Sequence, residues 1–196
     1  MRLLAFSDVH CDLDACAALV AAGAGADLVI GAGDFAQRHE GLEETMAALS
    51  PLEDKAVYIP GNNETADALR AATSAMVLHG TAAEVVGLRI FGLGCAVPPL
   101  PPLPWGSFDM EEAEAATLLQ KAEGADILVS HSPPKGIADE MQGRGSIGSE
   151  AVRAAAMAFQ PRLLVCGHVH DCWGQTGEIG LTHVRNLGPT VNWFEL

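Results

Sequence analysis

Short apolar runs recur along the chain, and several of them stop abruptly at a small polar cluster. Residues 2–6 (RLLAF) end at Ser7-Asp8, and residues 12–22 then place an Asp ahead of an Ala- and Leu-rich stretch. A run of that length fits a strand, and a capping carboxylate before an apolar-periodic segment marks a helix start. The pair recurs twice. Residues 27–30 lead to Gly-Ala-Gly-Asp and a helical stretch at 41–49, and residues 56–59 lead through Pro60 to Gly-Asn-Asn-Glu and a helical stretch at 65–72.

The middle of the chain changes rhythm. Residues 76–78, 83–86 and 89–93 are short strand candidates separated by Gly, with no helix-length segment between them. They read as consecutive antiparallel strands. A helix at 110–122, a strand at 127–129, a helix at 149–158 and a strand at 163–166 restore the alternation, and hairpin-like runs near 179–185 and 191–196 follow. Apolar sheet faces must be covered, so βα units combined with a meander predict an α/β fold: two mixed sheets face to face with helices outside, a four-layer αββα sandwich. Two segments look like loops over a site. Residues 97–104 carry five prolines in eight positions, and residues 142–148 (QGRGSIG) are Gly-rich and polar enough to be mobile.

A length of 196 residues, 49% of them hydrophobic, is enough for a substantial core, and residues 1–196 read as one domain. No apolar run approaches the roughly 20 residues that span a bilayer, and the opening MRLLAFSDVH shows no cleavage region, so a cytoplasmic protein is expected. The five cysteines are odd in number and irregularly spaced, which favours reduced thiols. A formal charge of -14 without any Lys/Arg cluster argues against long nucleic acids as partners. It does not exclude a small phosphate ester, because bound cations would dominate the field at a site.

The polar clusters carry the chemistry. Asp8 and His10 lie in SDVH, Asp34 in GAGD, Asn62 in GNNE, His131 in SHSPP, and His168 and His170 in GHVH. A spacing of two puts Asp8 and His10 on one face of an extended segment, and His168 and His170 repeat it. Asp34 could bridge two ions, and Asn62 offers a neutral oxygen. Imidazole mixed with oxygen donors favours Mn, Fe, Zn, Ni or Co over Ca. Each signal alone has a plain structural reading, since Asp and Asn are ordinary turn residues. Their ordered recurrence after successive strands does not, because the carboxyl ends of strands are where α/β sheets bind ligands.

In this order the motifs D-x-H, GD, GN, lone H and GHxH resemble those of the calcineurin-like metallophosphoesterase superfamily, over Asp8 to His170. SHSPP, the Gly/Arg-rich loop ending in Gly148-Ser149, VCGHVH and the NLGP near residue 188 are similar to small bacterial and archaeal phosphoesterases of that superfamily. The resemblance implies two divalent metal ions, one on Asp8, His10, Asp34 and His170 and the other on Asp34, Asn62, His131 and His168. It also implies hydrolysis of a phosphate ester by a hydroxide held between the metals. Neither Cys11 nor Cys166 has the C-x5-R context of a cysteine nucleophile.

One position departs from the pattern. Asn63 stands where many members have a His able to protonate the departing alkoxide, and an amide cannot donate that proton at neutral pH. Asn63 can still hydrogen-bond a phosphoryl oxygen. The mismatch tilts the expectation toward a small phosphodiester as substrate, with a monoester or a metal-bearing scaffold without turnover as alternatives. His39, in the loop after Asp34, is the candidate replacement donor, against the plainer reading of an exposed loop His. Arg38 falls where the GDxxDRG form of the motif has its phosphate-contacting Arg, although Gln37 replaces the Asp before it. Arg144 is a second candidate phosphate contact, and His79 and His183 read as structural. Trp105, Phe108 and the preceding prolines could wall a site for an apolar group or contact another subunit of a homo-oligomer. Glu111, Glu112 and Glu114 read as the solvated start of a helix.

Overall fold

Alternation within each strand explains the layers, since successive side chains point to opposite faces. The computed structural model describes residues 1–196. In β1 (Arg2–Phe6) Leu3 and Ala5 face one core while Leu4 and Phe6 face another. β2 (Leu28–Gly31), β3 (Ala56–Tyr58) and β4 (Met76–Val77) continue from β1 as parallel neighbours, and all three helices between them lie on the Leu4/Phe6 side. These are α1 (Leu13–Gly23), α2 (Leu42–Leu49) and α3 (Ala66–Ala72). Asp12 caps α1 by accepting from the backbone N–H of Asp14 and Ala15, and Thr65 caps α3 through Ala68. Phe6, Phe35 and Tyr58 meet edge to face beneath these helices, Phe35 and Tyr58 at 5.1 Å between centroids.

The second sheet holds β5 (Thr81–Val85), β6 (Leu88–Leu93), β7 (Ile127–Ser130), β10 (Leu163–Cys166), β11 (Thr176–Ile179) and β12 (Thr182–Asn186), in the order β11-β12-β10-β7-β6-β5. Ile127, Val129, Leu163 and Val165 turn inward to meet Leu3, Ala5, Ile30 and Val57 of the first sheet. Leu128, Leu164 and Cys166 turn outward under α4 (Glu112–Leu119) and α5 (Glu150–Phe159). The result is the expected sandwich of two mixed sheets flanked by helices. No helix is long and apolar enough to cross a membrane.

Four local expectations are corrected. The segment at 76–78 does not join the meander: β4 pairs parallel with β3, so of the three runs β5 and β6 alone pair antiparallel with one another. The reason is α3, whose crossover returns the chain beside β3 before it passes to the other sheet. The run at 191–196 does not close a hairpin with the one before it. It forms β13 (Asn192–Glu195), which crosses to the first sheet and pairs antiparallel with β1, whereas β11 and β12 make the hairpin. Residues 142–148 belong to a small hairpin of β8 (Glu140–Met141) and β9 (Gly145–Ser146), held by one Asp139 oxygen that accepts from Gly136 N, Gly148 N and the Ser146 hydroxyl. Glu112 likewise does more than begin a solvated helix: its carboxylate accepts from Glu150 N, Ala151 N and the Ser149 hydroxyl at the start of α5.

Candidate metal centre

The loops leaving β1, β2, β3, β7 and β10 all open at one edge of the sandwich, and they bring the motif residues together in two groups. Asp8, His10 and His170 form one and Asp34, His131 and His168 the other, each with its donor atoms within 4.8 Å of one another. The spacing argument from the sequence is corrected here. Asp8, His10, Asp34 and His168 have φ of 55°, 43°, 58° and 67°, so the chain is not extended at these positions, and His168 and His170 go to different groups. Left-handed backbone at non-glycine residues costs roughly 1–3 kcal/mol each. Packing over-determines it: Asp8 N donates to Gly33 O at 2.9 Å and His10 N to Asp34 O at 3.0 Å, zipping the loops together. A Cβ at Gly61 would strike the Asp34 carboxylate, and one at Gly167 would strike that of Asp8, so only glycine permits these approaches.

The donor set fits divalent cations. His131 Nδ1 lies 2.8 Å from the Ala32 carbonyl, which can only accept, so Nδ1 carries the hydrogen. In neutral His131 the Nε2 lone pair then faces Asn62 Oδ1 at 3.2 Å and Asp34 Oδ1 at 3.4 Å. His168 Nδ1 converges on the same Asn62 oxygen at 3.0 Å, and Asn62 Nδ2 donates to the Ser107 hydroxyl at 3.1 Å, which fixes the amide's orientation. In the other group His10 Nδ1 sits 3.2 Å from Ala36 O, and His10 Nε2 faces His170 Nε2 at 3.2 Å. Lone pairs aimed at one another need a cation or a proton between them, and imidazole with carboxylate oxygen suits the transition metals. Asp34 reaches both groups, with Oδ2 3.5 Å from His10 and Oδ1 3.4 Å from His131.

Proton affinities show the same demand for positive charge. Burial works against ionisation of Asp34, yet His131, with His10 and His168, holds its carboxyl below the usual range. Burial disfavours charge on His131 as well, but Asp34 overrides it and raises the imidazole to about 9. His168 is pushed down to about 3 by burial and by the charge on His131.

Residues outside the ligand motif hold these groups in place. Glu64, almost fully buried, accepts from Asp34 N at 2.9 Å, Ala36 N at 3.0 Å and Gly61 N at 2.6 Å, tying the β2 and β3 loops together. Burial and then the charge on Asp34 lift its carboxyl to about 7. Asp8 Oδ2 accepts from the Ser7 hydroxyl at 2.5 Å and from Trp173 Nε1 at 3.1 Å, and the Trp173 ring packs on His170 at 4.5 Å. Glu64 and Ser7 lie inside the motif strings, but Trp173 and Ser107 carry no local signal, because their role exists only across the fold. Asn63 donates from Nδ2 to Asp34 Oδ2 at 2.8 Å and accepts from Arg38 N at 2.8 Å, so its amide braces the carboxylate shared by the two groups.

The two groups open into a cleft of about 570 Å³. Arg38, Arg144 and Asn63 line it with the candidate ligands, and Leu100, Pro101, Leu103, Trp105 and Met141 form an apolar side. His39 does not line it. Its Nε2 donates to Gly106 O at 2.6 Å and its ring packs on Trp105 at 5.5 Å, so the proton considered for the leaving group is already committed. Phe108 also turns away, against His79 at 5.4 Å. All five cysteines are free, and burial pushes the Cys166 thiol well up, which removes it as a nucleophile.

An αββα sandwich with paired N/O ligand groups at the carboxyl ends of its strands is the build of a metallophosphoesterase. The calcineurin-like phosphoesterase model matches residues 1–172, and the chain belongs to that family of phosphoester hydrolases. Metallophosphoesterase domain-containing protein 1 of Homo sapiens is 33% identical over 145 residues, 68% of this chain and 40% of the human protein. The match therefore spans well under half the length of that relative. A crystal structure from Thermus thermophilus superimposes with a TM-score of 0.75 at 16% identity, covering 99% of this chain and 98% of that one. A dimetal phosphatase from Danio rerio gives 0.56 at 14% identity over 96% and 88%. At such identities the structures share the fold.

Proposed function

We propose that the chain hydrolyses a small phosphodiester, using one divalent transition-metal ion on Asp8, His10, Asp34 and His170 and a second on Asp34, Asn62, His131 and His168. The observation that carries this reading is the position of Asp34, which reaches both ligand groups on the floor of the cleft that Arg38 and Arg144 also line. When bound, the cations supply Lewis acidity and lower the pKa of water at the site. The chain's own residues do the rest. Arg38 and Arg144 offer guanidinium forks that match phosphate oxygens and turn the phosphoryl group toward the floor. Asn63 keeps the Asp34 carboxylate from rotating as charge builds beside it, and Glu64 holds the Asp34 backbone.

The motif position that would protonate a leaving alkoxide is occupied by an amide, and His39 is engaged elsewhere. Both facts favour esters whose leaving group departs without help. The test is hydrolysis of matched model diesters and monoesters by chelated protein reconstituted with Mn, Ni, Zn or Fe. Faster turnover of the diester supports the proposal. Preference for the monoester would make the protein a phosphatase, and bound metal without turnover would make it a scaffold.

A further inference from the structure

His168 sits at the apex of a three-residue turn. Val169 N donates to Gly167 O at 2.7 Å across it, and His168 has φ of 67°, which marks the rare and strained form of this turn. The turn divides the two imidazoles of GHVH, sending His168 to the Asn62 oxygen at 3.0 Å and His170 to His10 at 3.2 Å. It also aims His168 N at Asp8 Oδ1, 3.0 Å away. Something outside the loop must hold it, because such backbone persists only where its surroundings over-determine it.

Parallel pairing of β10 with β12 places Asn186 level with Cys166, at the point where the chain enters this turn. Asn186 is fully buried, and its Nδ2 donates to Gly167 O at 3.1 Å, Val169 O at 3.3 Å and Ala138 O at 3.0 Å. The first two carbonyls flank His168. An acceptor in place of Nδ2 would face three carbonyl oxygens, so only this orientation of the amide is allowed. We infer that Asn186 is a positioning residue for both metal groups: its one amide fixes the carbonyls on either side of His168, and so keeps His168 and His170 apart before any ion arrives. The inference rests on the metal assignment proposed above. Asn192 supplies a contrast six residues on. Its Nδ2 likewise donates to three backbone carbonyls, those of Ala5, Leu187 and Thr190, but none of these residues adjoins a candidate ligand.

The experiment compares Asn186→Leu with Asn192→Leu by denaturant unfolding of the metal-free protein, calorimetric titration with Co ions, and visible absorption of the bound Co, which reports its ligands and their geometry. Each variant strips a shared donor from three buried carbonyls, so the two should lose comparable stability. Asn186→Leu should bind Co about 10- to 100-fold more weakly, the usual cost of losing a group that orients a ligand, and with an altered absorption spectrum. Asn192→Leu should keep the affinity and spectrum of the unmodified protein. Unchanged Co binding in Asn186→Leu would overturn the inference, as would equal weakening in both variants. If Asn186→Leu does not fold, hydrogen exchange in the unmodified metal-free protein decides. The Asn186 side-chain amide hydrogens should be protected as strongly as the β10–β12 backbone, and exchange at the rate of a surface amide would mean that nothing holds the turn before the ion binds. An unmodified protein that binds no Co refutes the metal assignment and the inference with it, whereas Co binding indifferent to Asn186 refutes the inference alone.

Discussion

The two ligand groups use the same kinds of residue in different surroundings. Asp34 and His131 are buried at 2% and 0% exposure, whereas the His10 and His170 side chains are 18% and 48% exposed. The buried group is braced by Glu64, Asn63, Ser107 and the Ala32 carbonyl. The open group depends on Asp8, which Ser7, Trp173 and the His168 backbone hold. A braced, dehydrated set of donors pays its ordering cost during folding and should hold an ion tightly. A set with more exposed imidazoles should exchange its ion more readily, although residues of both groups line the cleft.

Asp34→Asn is expected to have the largest effect, because this carboxylate serves both groups. Activity should fall more than about 100-fold, beyond the usual cost of losing a supporting residue, and metal analysis should show fewer than two ions. Two ions held as tightly as before would break the idea of a shared ligand. The comparison itself is tested by His131→Ala against His170→Ala. The first removes the buried imidazole that faces Asp34, leaving that charge to its amide donors and His10, and should cost about 3–5 kcal/mol in denaturant unfolding of the metal-free protein, besides weakening the tight ion. The second should change that stability by less than about 0.5 kcal/mol and weaken only the exchangeable ion. Equal losses from both would mean that burial does not distinguish the groups.

Glu64→Gln sharpens the same contrast. It turns one acceptor into a donor facing backbone N–H groups, and should cost about 1–3 kcal/mol of stability, with the buried ion weakened more than the open one. Trp173→Phe keeps the ring against His170 but removes the hydrogen bond to Asp8. Calorimetric titration should show the open site about 10-fold weaker and the buried site unchanged. Weakening of both would place Trp173 in general packing instead.

Much of this was legible in the chain. The βα units, the cap at Asp12, and the ordered candidate ligands follow from local composition, because helices, caps and strand ends leave short-range marks. The partition of GHVH was implied by the family resemblance but was not legible in the spacing. Spacing suggests that His168 and His170 act together, but His168 has φ of 67° and His170 begins a tight turn, which sends the two imidazoles to different groups. His39 is an exposed loop residue, the plainer of its two readings. Its place in the loop after Asp34 suggested the cleft, while its actual partner, Gly106, is 67 residues away.

By its own pattern, the sequence determined the layers of the sandwich and which residue types stand at the strand ends, since both depend on periodicity and on the chemistry of individual side chains. The tertiary structure alone decided that β4 and β13 belong to the first sheet, that Trp173 holds Asp8, and that Trp105 and Arg144 face one cleft. Those facts are distances between residues far apart in the chain. They are set by how the sheets and loops pack, which no local pattern encodes.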